Sequence, residues 1–259
     1  MIGKRVVGRR APMGSMAAAI LIAALVACTG EHRPTNESNG SVVSADSTKS
    51  NAAHAAPVAA PARVTSAARR TVIFAGTSLT AGLGLEPDSA YPMLIQRKID
   101  SAGLAFDVVN AGVSGETSAG LLDRLDWLLR GKFDVIVVET GANDGLRGLP
   151  VASLRANLSK ALDRIRTARP DAQVALVQME VLPNLGAKYA AAFHAVYPAL
   201  AKEKGVTLIP FLLAGVAGHR ELNQGDGVHP NYAGERMVAA NVWAGLKPLL
   251  TAAVQHQAP

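Results

Sequence analysis

Between residues 71 and 250 short apolar runs alternate with stretches of helical spacing, and this alternation restricts the fold more than any other feature of the chain. Residues 71–75 (Thr-Val-Ile-Phe-Ala) form an apolar run closed by Gly76. A run this short, bounded by glycine, reads as a buried strand. Residues 91–102 carry helical spacing, and residues 106–110 form a second strand. Over 118–130 the leucines at 121, 122, 125, 128 and 129 share one helical face, with Gly131 expected as the C-cap. Residues 134–139 give a third strand, 153–168 a helix stopped at Pro170, and 174–178 a fourth strand. A helix over 187–204 contains Pro198, which is expected to kink or break it. Residues 206–209 give a fifth strand, and 231–250 the last helix, with Pro230 suited to its first turn. Strands separated by helices make a parallel sheet covered on both faces. The expected fold is therefore an α/β three-layer sandwich over residues 70–252, with its site beyond the carboxyl ends of the strands.

The region before this domain reads as an address. Lys4, Arg5, Arg9 and Arg10 precede an apolar stretch over 13–27 that is short for a membrane span. Residues 1–27 are expected to be a signal peptide. The stretch ends in Leu25-Val26-Ala27-Cys28, which resembles a bacterial lipobox, and Cys28 is the chain's one cysteine. It is expected to be lipidated and to anchor the protein to a membrane of the cell envelope, with the outer membrane favoured by Thr29. Residues 28–69 are rich in Ala, Ser, Asn, Thr and Pro without apolar periodicity and read as a tether. Residues 253–259 read as a disordered tail. The net charge of +6 falls to +2 without the four N-terminal cations, and aromatics make up only 4%. Both observations argue against a nucleic-acid partner.

Polar residues gather after the strands. Ser78 lies on a tight turn after the first strand, either as an activated nucleophile or as a helix N-cap. Gly112 lies in Asn110-Ala111-Gly112-Val113-Ser114-Gly115-Glu116-Thr117 after the second, where an exposed N–H suits an oxyanion and a plain turn is the alternative. Asn143 follows the third strand in Gly141-Ala142-Asn143-Asp144 and offers neutral side-chain donors, with a simple turn as the alternative. Near the end stands Asp226-Gly227-Val228-His229-Pro230-Asn231. Two intervening residues let the carboxylate reach one ring nitrogen and leave the other for a serine. A helix-capping Asp or His and a metal-binding pair are the competing readings, and no cluster of further ligands accompanies the pair.

Taken in order, this set resembles the SGNH (GDSL-like) hydrolases. The stretches 141–148 and 226–231 are similar to the multifunctional periplasmic acyl-thioesterase, lysophospholipase and arylesterase branch. The resemblance spans about residues 71–250 and implies a flavodoxin-like five-stranded sheet with no metal or organic cofactor. It implies Ser78 as nucleophile, His229 as base and then acid, and Asp226 as the orienting carboxylate. The oxyanion would be held by the N–H groups of Ser78 and Gly112 and the Asn143 side chain. The implied substrates are small acyl esters, thioesters or lysophospholipids, and a monomer is favoured. A carbohydrate O-acetyl esterase and a non-catalytic membrane-tethered binding protein are the alternatives.

Thr77 departs from the family's Gly-Asp-Ser-Leu, in which the aspartate braces the nucleophile loop. Asp144 is expected to brace its own loop. Glu116 and Asp123 are assigned to a helix N-terminus and its solvated face. His194 is expected to lack an acidic partner, and residues 179–184 to border an acyl pocket.

Overall fold

The computed structural model describes residues 69–255. Five parallel strands form one sheet in the order β2-β1-β3-β4-β5. They are β1 (Arg70–Gly76), β2 (Phe106–Gly112), β3 (Val135–Val138), β4 (Gln173–Val177) and β5 (Thr207–Ile209). The central β3 is Val-Ile-Val-Val and wholly buried, as a strand covered on both faces must be. At the sheet's edge, β2 instead alternates buried Phe106 with exposed Asp107. β1 pairs along its length with β2, from Arg70 opposite Phe106 to Gly76 opposite Gly112, and over Val72 to Ala75 with β3.

Among the described residues seven α-helices accompany the sheet: α1 (Ser78–Ala81), α2 (Tyr91–Ser101), α3 (Ser118–Leu128), α4 (Ala142–Leu146), α5 (Val151–Ala168), α6 (Ala187–Lys204) and α7 (Tyr232–Gln255). α2 packs with α7, while α3, α5 and α6 pack in succession. Their buried stripes, such as Leu154, Leu158, Leu162 and Ile165 of α5, meet the strand side chains in one core. The chain turns to one side of β1 to make β2 and to the other to make β3. The ends of β1 and β3 thus frame a switch-point crevice, where open sheets of this kind bind ligands.

Several local expectations need correction. α3 ends at Leu128 with Leu129 as its C-cap, and Gly131 lies beyond, its N–H donating to the Leu128 carbonyl. α6 continues through Pro198, so one missing donor does not break a helix whose Phe193, Val196, Tyr197 and Leu200 are packed in the core. α7 begins at Tyr232 and is capped by Asn231, whose side chain accepts from the N–H groups of Ala233 and Gly234, so Pro230 lies outside the first turn. α7 runs to Gln255, past the expected boundary at 252, because Ala253 is still buried against the domain. Arg69, assigned to the tether, pairs with Asp100 at 2.8 Å and Asp107 at 2.5 Å and so belongs to the domain. The expectations for residues 1–68, Cys28 among them, and for 256–259 lie outside the described residues.

Candidate active site

Ser78 is the first residue of α1, and Thr77 is the N-cap. The serine is only 8% exposed, but its hydroxyl opens onto a cavity beyond the strand ends. His229 Nε2 stands 2.9 Å from Ser78 Oγ, and His229 Nδ1 stands 2.6 Å from Asp226 Oδ2. With the ring proton on Nδ1 donating to Asp226, Nε2 is free to accept the serine proton.

The loop that carries Asp226 and His229 is held from several directions. Asp226 Oδ1 accepts from the backbone N–H of Val228 at 2.9 Å and of His229 at 3.0 Å. Those two bonds, with the imidazole on the other oxygen, hold the carboxyl down to about 2. Gly227 bridges the pair with φ +70°, a conformation that other residues adopt at a cost. The Gln224 N–H donates to the His229 carbonyl at 2.7 Å, and its side chain donates to the carbonyls of Pro230 and of Leu83, beyond α1. Gln224 therefore ties the histidine loop to the segment that follows the nucleophile. No pattern in the sequence distinguishes this glutamine from a solvated one.

Asn143 lies in the first turn of α4, after β3. One of its amide hydrogens goes to the Glu116 carbonyl at 2.9 Å, which fixes the amide and leaves the second hydrogen for the cavity it lines. Asp144 is buried and accepts from the N–H and hydroxyl of Ser118 at 2.8 and 2.5 Å, joining α4 to the start of α3. Glu116 is not merely a helix-terminal acid. It pairs with Arg124 at 2.5 and 2.8 Å.

Gly112 stands apart from this group. Its N–H donates to Asn110 Oδ1 at 3.0 Å. A Cβ there would lie 2.3 Å from the Ala81 backbone nitrogen, so glycine is required for β2 to pass beneath α1. Gly112 lines a separate groove of about 590 Å³ beside β2 and α3, which holds none of Ser78, Asn143 and His229. Gly115, three residues further along the same loop, does line the cavity with those three. Its N–H has no partner among the described residues, and its carbonyl accepts from Arg147 at 2.8 Å. A single sequence offers no means of ranking two glycines three residues apart.

The cavity encloses about 560 Å³. Leu79, Met179, Val181, Phe211 and Leu213 make its wall largely apolar, and half-exposed Leu83, Leu146 and Leu182 form an apolar rim. The segment 179–184 reaches this wall as expected, although Glu180 on it pairs with His194 at 2.7 Å, so His194 does have an acidic partner. Among the described residues no group of three or more His, Cys, Asp or Glu is placed to hold a metal ion.

Residues 74–237 match the GDSL-like lipase/acylhydrolase family. The chain belongs to that family. It is 41% identical to Esterase TesA of Pseudomonas aeruginosa over 71% of this chain and 91% of that protein. It is 37% identical to thioesterase 1/protease 1/lysophospholipase L1 of Escherichia coli (strain K12), over 71% of this chain and 86% of that one. The crystal structure of AlinE4, an SGNH-hydrolase family esterase, superposes with a TM-score of 0.59 at 36% identity, covering 74% of this chain and 98% of that one. As a member of this family the chain has the SGNH hydrolase fold and is a serine hydrolase of the esterase class.

Proposed function

We propose that the chain cleaves acyl esters and thioesters, lysophospholipids among them, through a covalent acyl-Ser78 intermediate. The observation that carries this reading is the relay Asp226–His229–Ser78, with links of 2.6 and 2.9 Å, opening onto an apolar cavity. In the first step Ser78 Oγ attacks the carbonyl carbon while His229 Nε2 takes its proton. Asp226 keeps the ring oriented and stabilises the imidazolium. His229 then gives the proton to the leaving alcohol or thiol, and the carbon–oxygen or carbon–sulfur bond breaks. Water, deprotonated by the same nitrogen, attacks the acyl-serine, and the acid leaves as Ser78 regains its proton.

The developing oxyanion is assigned to the N–H of Ser78, the free amide hydrogen of Asn143 and the N–H of Gly115. Gly115 replaces Gly112 in this role because the Gly112 N–H is already engaged and lies outside the cavity.

An apolar cavity of about 560 Å³ with a leucine rim favours medium or long acyl chains. Hydrolysis of p-nitrophenyl esters from acetyl to palmitoyl, by the chain and by Ser78→Ala, tests the reading. A rate that peaks beyond acetyl and vanishes in Ser78→Ala is expected. A peak at acetyl would move the substrate to acetylated carbohydrates, and activity retained in Ser78→Ala would remove the nucleophile.

The same proposal places the enzyme in the bacterial periplasm or cell envelope, held through a lipid on Cys28. Its support is the cationic and apolar leader followed by Leu25-Val26-Ala27-Cys28. Radiolabelled palmitate incorporated by the chain and not by Cys28→Ala is the expected result.

A further inference from the structure

The wall of the catalytic cavity carries one carboxylate that acyl transfer leaves unused. Glu180 lies three residues beyond β4 and lines the cavity that holds Ser78, Asn143 and His229. Its side chain is 31% exposed. Oε1 is pinned, accepting from Gln178 Nε2 at 2.7 Å and from His194 Nδ1 at 2.7 Å. Oε2 has no hydrogen-bond partner among the described residues. No lysine or arginine lines the cavity. The one lining residue able to carry positive charge is His229, which is committed to Ser78 and Asp226.

A neutral acyl chain lying over Glu180 would strip water from Oε2 and return nothing, a net cost. An ammonium group at the same place replaces that water with a charge-assisted contact, stronger inside a cavity than in bulk solvent. The pinned Oε1 adds to this, since a carboxylate already held in one orientation loses little freedom when it meets its ligand.

We infer that Glu180 forms a cation subsite within the catalytic cavity, so that esters bearing an ammonium or quaternary ammonium group are preferred to neutral esters of the same shape. Gln178 and His194 are its positioning residues. The inference rests on the esterase reading above. It narrows that reading to amphiphiles with a cationic group on the ester, the acyl chain lying against the leucine and valine wall.

The test compares octanoylcholine with 3,3-dimethylbutyl octanoate, in which carbon replaces the charged nitrogen, using the full chain and Glu180→Gln. The readout is the ratio of the two kcat/KM values, which cancels any loss common to both esters. The ratio is expected to fall roughly tenfold in Glu180→Gln, the scale of one lost charge contact at a partly exposed site. Glu180→Asp keeps the sign of the preference. Raising the ionic strength is expected to lower the ratio of the unmodified chain and to leave that of Glu180→Gln flat. An equal ratio in the chain and in Glu180→Gln would overturn the subsite. If that variant does not fold, a salt-independent ratio in the unmodified chain overturns it instead. Failure of the unmodified chain to cleave either ester would sink the esterase reading, and the subsite with it.

Discussion

Thr77 is bound to Glu139 through both its backbone and its side chain. The Thr77 N–H donates at 2.8 Å, and its hydroxyl lies 3.0 and 3.1 Å from the two carboxylate oxygens. Thr80 adds a hydroxyl at 2.8 Å, itself 2.8 Å from the hydroxyl of Tyr91. Glu139 ends the run from β3 and is 1% exposed, so this network lies in the dry interior behind the nucleophile. A threonine here, where the family usually has aspartate, brings a donor rather than a second acid to a buried carboxylate. That is the physical sense of the departure.

Burial pushes the Glu139 carboxyl up, and the hydrogen bonds from Thr77 and Thr80 work against that shift. Thr77→Val keeps the shape and the backbone bond but removes the hydroxyl. The carboxyl is then expected to rise further. A raised folded-state value stabilises at low pH, and that contribution is lost as pH rises through it. The variant should therefore lose about 1–3 kcal/mol at neutral pH, and less in acid. Thermal unfolding across pH checks this. A pH-independent difference between variant and parent would show that the hydroxyl does not support the charged form.

Asn143→Ala and Gly112→Ala separate chemistry from packing. Loss of one oxyanion donor typically lowers turnover about 10²–10³-fold. Asn143→Ala should do so with KM little changed and a small loss of stability, since its other bond goes to one backbone carbonyl. Gly112→Ala places a Cβ 2.3 Å from the Ala81 nitrogen, so backbone must move. It is expected to cost about 1–3 kcal/mol of stability and to disturb α1, the helix that begins at Ser78. Unchanged melting in Gly112→Ala would contradict the packing requirement for glycine there.

The sheet was legible because a buried parallel strand must be apolar throughout, as residues 135–138 are, and because Gly76, Gly112 and Gly141 punctuate the strand ends. Ser78, Asn143, Asp226 and His229 stand out as candidates because each sits in a short segment of distinctive spacing. α1 and α4, with four and five residues, were too short for any helical period to register. In the sequence Glu139 is only the end of a strand. A buried acid is recognisable by its donors, and those donors are Thr77 and Thr80, some sixty residues away. Glu180 and His194 meet across β4 and α6, a contact that no local pattern encodes.

Asp226 provides a third prediction. Two backbone N–H groups and the His229 ring hold its carboxyl at about 2. The carboxylate accordingly stays ionised through mild acid, and its contribution to stability is lost only as pH falls from the usual carboxylate range towards 2. Asp226→Asn keeps the size but presents an amide to His229 Nδ1 and disfavours the tautomer that leaves Nε2 bare. A fall in kcat of about 10²–10⁴-fold is expected, with KM little altered. Turnover of octanoyl esters by the variant within threefold of the parent would contradict the orienting role.

Glu235 supplies the clearest pH effect on stability. It lies in the first turn of α7, 2% exposed, and accepts from the Tyr91 N–H at the start of α2 with a 2.7 Å bond. Burial drives its carboxyl up to about 8, and the Tyr91 bond only partly opposes this. In the unfolded chain the same group titrates near 4.3. Between those values the folded protein holds a proton that the unfolded chain has lost, so stability falls as pH rises from about 4.3 towards 8. At about 1.4 kcal/mol per unit, the whole effect is at most about 5 kcal/mol. Glu235→Gln still offers an oxygen to the Tyr91 N–H and carries no charge. It is expected to match the parent near pH 4 and to unfold at a higher temperature above pH 8, reversing the usual penalty for altering a buried polar residue. Calorimetric unfolding of both proteins from pH 4 to 9 would reveal it. Parallel curves over that range would show that Glu235 is ionised in the folded state and that the junction of α2 and α7 carries a buried charge.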